Sequence, residues 1–269
     1  MNYSLIILFV SLFTSIILIG QEHNNDQNQH ITRKSTTIII QPNHYSPLRV
    51  NSISGSYKPT SFSVISGQIG IARNYDFRDK FRLSIELSTG SAPIKTGFFI
   101  EAGKVEAIDY IELAHRRSIY FLRYTQLSVI GSYKIHQFSK SSLFISAGFA
   151  YRRNIDFIAT SSSSYSRSFT GPDVRIYQIT LYNNSSDLNL WALPIGIYLE
   201  RKIANRIYCS AGLRATIHTP NKIYGYYEFF PGRPEESNGT VSMKNYYVGL
   251  DLGFSFRKKT LEEKSAVKK

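Results

Sequence analysis

The sequence predicts an all-β protein, a transmembrane antiparallel up-and-down β-barrel of about eight strands. Three observations lead to this fold class. Several segments alternate between apolar and polar residues, which is the pattern of a strand with one apolar and one polar face. The connections between these segments alternate between long and short, and the polar faces are rich in small residues, as the narrow interior of a barrel requires.

The N-terminal residues predict export. Leu5–Ile19 is an uncharged apolar run followed by polar residues, so residues 1–20 are expected to be a signal peptide cleaved after Gly20. Residues 21–32 then form a periplasmic N-terminal segment. Met1–Ser4 contains no Lys or Arg, which leaves an uncleaved helical anchor as the alternative. No later apolar run approaches 18 residues, which excludes a protein with several membrane-spanning helices.

Two segments in the N-terminal third of the chain are predicted to be the first two strands of the barrel. Arg33–Gln41 is the first strand because it contains the β-prone run Thr36–Ile40 and because single-chain bacterial barrels have even strand numbers. Ser61–Tyr75 is the second strand, although Phe62 and Val64 fall on its polar face.

The third and fourth strands are Phe81–Thr89 and Ile119–Ile135. In Phe81–Thr89, the apolar residues Phe, Leu and Ile alternate with Arg, Ser and Glu. Ile119–Ile135 follows the same rule except at Arg123, which falls among the apolar positions. Each segment therefore predicts a strand with one apolar face.

The last four strands are Leu143–Arg152, Trp191–Lys202, Ile207–His218 and Asn245–Phe256. In Ile207–His218 and Asn245–Phe256 the two faces separate without an exception. With these strands the barrel domain is expected to span residues 33–256.

The connections between the eight segments give an independent test of the barrel. Along the chain they run long, short, long, short, long, short, long: Pro42–Thr60, Asp76–Lys80, Gly90–Ser118, His136–Ser142, Arg153–Leu190, Ile203–Arg206 and Thr219–Lys244. Membrane barrels have short periplasmic turns and longer outer loops. The pattern therefore predicts that both termini lie on the periplasmic side.

Residue types favour an apolar face that points outward. A soluble lipid-binding barrel, the alternative, would put its apolar face inside and its polar face in water. Gly, Ser and Ala crowd the polar face, which suits a narrow lumen better than a solvated surface. Trp191, Tyr133, Tyr246 and Phe256 fall toward strand ends, where aromatic girdles of membrane barrels lie.

Six charged residues fall on the predicted lumen face: Arg82, Glu86, Arg152, Glu200, Arg214 and Asp251. A barrel of about eight strands has an interior that side chains just fill, and a lone buried charge is costly. These residues are therefore expected to pair and plug the lumen. The alternative is a conducting path, which would make the protein a narrow passive channel for small solutes.

Several segments resemble one known family of barrels. Phe81–Leu87 is similar to a Phe-x-Leu-x-x-Glu-Leu strand, and Gly249–Phe256 is similar to that family's closing strand. Tyr124–Val129 and Trp191–Gly196 stand in the place of its Tyr-Leu-Glu-Ile-Pro-Leu strand. Between Ser61 and Phe256 the chain thus resembles the outer-membrane β-barrel family of Bacteroidota, which includes the PorT-type proteins of the type IX secretion system.

The resemblance implies an outer-membrane location, assembly by the barrel-assembly machinery and a possible envelope protein as partner. Its motifs are compositional, and fold alone does not fix a task. The chain departs from the family at Gln126 and Ser128, where the family has Glu and Pro. It also continues beyond the terminal aromatic Phe256 with residues 257–269, which we interpret as a basic periplasmic tail.

No catalytic, cofactor or metal site is expected. The single cysteine, Cys209, can form no internal disulfide, and six scattered histidines supply no thiolate or imidazole cluster. His115, His136 and His218 are not placed with a Ser and a carboxylate as a hydrolytic site would need. The sequence therefore predicts a protein that is not an enzyme.

The net charge of +13 comes from 32 Lys and Arg against 19 Asp and Glu. The basic excess lies at the predicted periplasmic strand ends and in the tail, at positions that include Lys134, Lys140, Arg201, Lys202 and Arg206. Such a distribution suits anionic head groups of outer-membrane lipid rather than nucleic acid.

The long loops are the remaining functional surface. Six aromatic residues are candidates for binding a ligand or partner there: Tyr165, Tyr224, Tyr226, Tyr227, Phe229 and Phe230. The alternative is that Val174–Tyr182 and Lys222–Phe230 are strands that continue above the membrane and pack their aromatics on each other. The function expected is a structural or interaction role, accessory to an envelope or secretion complex.

Overall fold

A computed structural model describes residues 31–77, 80–101, 113–155, 160–167, 174–182, 189–219, 224–234, 236–242 and 246–257. Within these ranges, no helix is long and apolar enough to cross a membrane. The predicted signal peptide of residues 1–20 lies outside the described residues, as do most of the segment 21–32 and the tail after Arg257.

Fourteen strands follow one another along this part of the chain: β1 (Ile31–Tyr45), β2 (Arg49–Ser54), β3 (Thr60–Ser61), β4 (Val64–Phe77), β5 (Phe81–Glu101), β6 (Leu113–Gln137), β7 (Ser141–Asn154), β8 (Thr160–Arg167), β9 (Val174–Tyr182), β10 (Asn189–Ala204), β11 (Ile207–His218), β12 (Tyr224–Phe229), β13 (Ser237–Ser242) and β14 (Tyr246–Arg257).

Eight of these strands form a closed antiparallel barrel. Their order around the ring is β5-β4-β1-β14-β11-β10-β7-β6, and pairing of β5 with β6 closes it. All eight predicted segments are barrel strands, including the first, so the predicted fold class is confirmed. The short turns β4–β5, β6–β7 and β10–β11 lie at the same end as the start of β1 and the end of β14, and we call this the short-turn end.

The long connections at the other end are largely strand. Five of the fourteen strands pair in the order β2-β13-β12-β9-β8 and form what we call the extension sheet. In addition, β5 and β6 pair without a break from Phe81↔Tyr133 to Glu101↔Leu113. The prediction of a loop over Gly90–Ser118 was therefore wrong. The alternative prediction was that Val174–Tyr182 and Lys222–Phe230 are strands. It agrees with the structure, in which β9 and β12 pair with each other.

The apolar face of the barrel strands points outward. Ile197, Leu213 and Leu250 form one cross-strand row on β10, β11 and β14, and their exposed fractions are 44%, 57% and 43%. The interior instead buries polar residues such as Gln126 and Ser128. The structure therefore confirms the assignment made from residue types, with the apolar face outside and the polar face inside.

The inner side of β5 changes character along its length. Within the eight-strand ring its inward positions are the buried Arg82, Glu86 and Ser88. Beyond Gly90 the same parity stays inward but becomes largely apolar: Ala92, Ile94, Phe98 and Ile100. These residues join a hydrophobic core with residues of β9, β12 and β13, so the core lies above the lumen and between the β5–β6 hairpin and the extension sheet.

Two exceptions to the sequence pattern now have structural reasons. Phe62 lies in the break between β3 and β4, where its N–H donates to the Lys95 carbonyl at 3.3 Å, so the strand alternation does not apply to it. Arg123 is exposed on the outer side of β6, opposite Ser91. Ser91 follows Gly90, the point at which the inner side of β5 changes from polar to apolar. Arg123 therefore lies farther from the short-turn end than the exposed apolar row of Ile197, Leu213 and Leu250.

Candidate functional site

The lumen holds its charged residues in layers, and the first layer lies nearest the short-turn end. Arg82 on β5 donates from Nη1 to Glu200 Oε2 at 2.6 Å and from Nη2 to Glu200 Oε1 at 3.2 Å. Its Nε donates to Asp76 Oδ1 at 2.6 Å. Arg257 also donates to Glu200. Two cations thus face two carboxylates, and the layer is balanced.

Asp76 and Arg257 were missed as site residues by the sequence analysis. Asp76 was assigned to a short turn and Arg257 to the tail, because each lies just outside a predicted strand. In the structure, β4 continues to Phe77 and β14 continues to Arg257. A longer alternating pattern could have found Arg257, since it follows Ser255 at the spacing of an inward residue.

A second layer crosses the middle of the barrel. Arg214 on β11 donates from Nη1 to Glu86 Oε2 on β5 at 2.9 Å, and its Nη2 donates to Asp251 Oδ2 on β14. β11 and β5 lie four strands apart around the eight-strand ring, so this ion pair spans the lumen from one wall to the opposite one. The cavity between the first and second layers measures only about 50 Å³.

Arg152 forms a third layer without a carboxylate. It was expected to share the acidic partners of Arg82 and Arg214, but no ion pair of Arg152 is found in the described part of the chain. Its guanidinium lies 3.6 Å from the ring centroid of Tyr124, and it donates to Tyr247 Oη at 3.1 Å and to Gln126 Oε1 at 3.2 Å. Aromatic faces and neutral acceptors therefore replace the expected acid.

Part of the inner wall around the third layer is polar but poorly paired. Gln41, Asn43, Thr216 and His218 are buried, and the polar atoms of their side chains have no hydrogen-bond partner within the described ranges. Buried polar atoms usually bond to protein or to ordered water. This part of the lumen therefore differs from the two ion-pair layers, where the carboxylates and guanidinium groups contact each other directly.

The aromatic residues proposed as surface binding candidates have different positions. Tyr227, Phe229 and Phe230 are 0%, 1% and 0% exposed, so they are core residues and not part of a binding surface. Phe229 packs on Phe98 with ring centroids 5.8 Å apart and on Tyr177 at 4.8 Å. The alternation of β12 explains the burial, because Tyr227 and Phe229 share the face that lies on the core.

Three candidates remain. Tyr226 lies on the opposite face of β12 and is partly exposed. Burial and the nearby carboxylates of Glu228 and Glu236 raise the pKa of Tyr226, so its hydroxyl stays neutral near pH 7. Tyr165 lies in β8 and Tyr224 in β12, but their side chains are outside the described part of the structure.

Of His115, His136 and His218, the two histidines whose side chains are described, His136 and His218, lie at opposite ends of the barrel. His136 is exposed at the short-turn end, with its ring 4.4 Å from that of Phe138. His218 is buried near the other end of the barrel, 5.4 Å from the ring of Tyr247. His115 lies in β6 beyond the ring of eight strands, and its side chain is not described. In the described residues, no group of three His, Cys, Asp or Glu side chains could hold a metal ion.

Comparison with known proteins finds similarity in the path of the backbone only. No protein-family model matches the sequence, and no curated protein matches it. Among solved structures, the outer membrane protein OprG from Pseudomonas aeruginosa is 12% identical with a TM-score of 0.42, and the alignment covers 86% of this chain and 99% of OprG.

Two further structures are similar at the same level. A major outer membrane protein from Thermus thermophilus is 12% identical over 84% of this chain and 99% of its own, with a TM-score of 0.40. The outer membrane protein AlkL, solved in DMPC lipid bilayers, is 10% identical over 88% and 95%, with a TM-score of 0.39. At such identities the likeness concerns the path of the chain and carries no argument about role.

Proposed function

We propose that the chain is an outer-membrane β-barrel protein with a side-chain-plugged lumen and a structural or interaction role. The observation that carries this proposal is the outward apolar face of the barrel, illustrated by the exposed row Ile197, Leu213 and Leu250. A soluble protein seldom exposes an apolar belt of this kind, whereas a membrane barrel requires one. The polar interior also argues against the soluble lipid-binding alternative, which needs an apolar cavity.

The ion-pair layers support the plug. Arg82 with Glu200 and Arg214 with Glu86 cross the lumen at two successive levels, and the four side chains are buried. Above them the hydrophobic core covers the barrel on the side of the extension sheet. A solute would have to break both ion-pair layers and pass this core.

The proposed role is to bind another protein rather than to transport a solute or catalyse a reaction. The barrel anchors the extension sheet, whose outer face presents partly exposed polar residues such as Tyr226 and Glu228. We propose that this sheet meets an envelope protein partner, in a complex of the kind that the resemblance to the PorT-type proteins implies. The signal peptide of residues 1–20 and the barrel-assembly machinery deliver the chain, and the basic residues of the short-turn end lie near anionic lipid.

A narrow passive channel is the second candidate, because the lumen is mostly polar and contains a cavity of about 50 Å³ between two layers. Planar bilayers separate the two functions. Protein extracted from the membrane fraction and shown to migrate faster before boiling than after it should give no conductance steps. Reproducible steps in the purified folded protein would contradict the plug and support the channel.

A further inference from the structure

The mouth of the barrel at the short-turn end opens into a cavity of about 200 Å³ with an excess of positive charge. Seven Lys and Arg side chains line it against two carboxylates. The two carboxylates, Asp76 and Glu200, belong to the first ion-pair layer and are engaged by Arg82 and Arg257. Four further cations of the lining are lysines, and together they form what we call the rim: Lys80, Lys134, Lys140 and Lys202.

Backbone hydrogen bonds make these four lysines neighbours in two pairs. The N–H of Lys134 donates to the carbonyl of Lys80 at 2.8 Å, and the N–H of Lys202 donates to the carbonyl of Lys140 at 3.0 Å. None of the four lysines forms an ion pair within the residues that the structure describes. Like charges on adjacent strands repel each other, and a bound anion would offset that repulsion.

We propose that this rim binds a compact phosphate-bearing anion. The cavity is recessed, so it suits a small group rather than a protein surface. A phosphate or pyrophosphate group offers several acceptor oxygens and more than one negative charge, and each ammonium group of the rim offers three donors. A single carboxylate would leave most of the rim unmatched. The phosphate could belong to a lipid head group or to a soluble compound.

The chain's own tail is a poor occupant by charge. Residues 258–269 contain five Lys against two Glu, so the tail is basic like the rim. The proposal does not depend on the membrane assignment or on the plug, because it concerns a site that is present in any folded barrel of this sequence.

Isothermal titration with inorganic pyrophosphate tests the site in the full chain folded in a zwitterionic detergent. Lys202 lines the cavity, whereas its neighbour Arg201 is exposed and, one position earlier on β10, points to the opposite side of the strand. Lys202→Gln should weaken pyrophosphate binding about fivefold or more, the loss of one charge-assisted contact, and Arg201→Gln should change it less than about twofold. The quadruple change of Lys80, Lys134, Lys140 and Lys202 to Gln should abolish binding.

Three results would overturn the proposal: no saturable binding of pyrophosphate, equal weakening by the two single variants, or succinate binding as tightly as pyrophosphate. Heat-modifiable migration of each variant confirms that the barrel has formed. Repeating the titration in phosphatidylcholine vesicles with and without phosphatidylglycerol identifies the source. Competition that requires Lys202 supports a lipid head group, and unchanged pyrophosphate binding supports a soluble phosphate compound.

Discussion

Arg82 and Glu200 lie 118 positions apart in the sequence and are joined across the lumen by two hydrogen bonds, of 2.6 and 3.2 Å. Arg82 is 5% exposed and Glu200 is 4% exposed, so both charges have left water for the interior of the barrel. The pair is a fork-to-fork contact of guanidinium and carboxylate, which fixes geometry as well as charge. It links β5 to β10, which are three strands apart around the ring, and so holds opposite parts of the wall together.

Loss of Glu200 should destabilise the barrel. In Glu200→Gln, the buried Arg82 and the partly buried Arg257 both lose a charged acceptor, and breaking a buried pair in this way costs about 3 kcal/mol. The free energy of unfolding in urea, followed by fluorescence of the single tryptophan, Trp191, measures the effect. Glu228→Gln on the extension sheet is the control and should change stability by less than about 0.5 kcal/mol. Equal effects of the two changes would show that the ion-pair layer is not needed.

Truncation of Phe229 should loosen the extension sheet and leave the barrel intact. Phe229 is 1% exposed and packs on Phe98 and Tyr177, so Phe229→Ala leaves a core cavity that costs about 3 kcal/mol or more. Amide hydrogen exchange should accelerate in β9, β12 and β13, while heat-modifiable migration persists. Tyr226→Ala changes the opposite face of the same strand and should leave exchange rates unchanged. If both variants accelerate exchange alike, the hydrophobic core above the lumen does not hold the extension sheet.

Close approach of neighbouring strands should make a side chain at position 148 destabilising. A Cβ atom at Gly148 would lie 2.2 Å from the Val129 carbonyl oxygen and 2.8 Å from the Ile130 Cα, and both are backbone atoms that cannot move aside. Gly148→Ala should therefore cost about 1–3 kcal/mol by overpacking. Gly67→Ala is the matched control, because nothing lies within 4 Å of its added methyl group. Parallel urea titrations of the two variants test the difference, and a stable Gly148→Ala protein would contradict it.

The barrel strands could be predicted because one physical rule governs them. Within the ring of eight strands, each strand has an apolar face outside and a mostly polar face inside, so apolar and polar residues alternate there. The alternation of Ile207–His218 is complete, and β11 has the same bounds. The alternation of short and long connections also predicted that the barrel begins and ends on the side of the short turns. The structure has the start of β1 and the end of β14 at that end.

The upper half of the molecule could not be predicted in the same way. Beyond Gly90 the inward side of β5 changes from polar to apolar, so the alternation is lost and the sequence resembles the end of a strand. The residues that cover this surface come from β9, β12 and β13, which lie far away in sequence. Periodicity reports the two faces of a strand but not the partner that a face meets. For that reason Tyr227 and Phe229 were mistaken for surface residues.

The sequence also could not predict which of the lumen charges pair with each other. Parity placed Arg152 inside, but only the stagger of the strands determines which inward residues share a level. Arg152 lies at the level of Tyr124 and Tyr247, and the carboxylates lie at levels nearer the short-turn end.

The outward apolar face of the barrel is expected to lie in lipid. Leu213 is 57% exposed in the middle of β11, and Ile53 is 67% exposed on β2 of the extension sheet. In the free energy of unfolding from lipid vesicles, Leu213→Arg should cost about 2–4 kcal/mol, because a charge at mid-membrane depth faces hydrocarbon. Ile53→Arg should cost less than about 0.5 kcal/mol, because its side chain faces water. If Leu213→Arg is as harmless as Ile53→Arg, the barrel does not stand in a membrane.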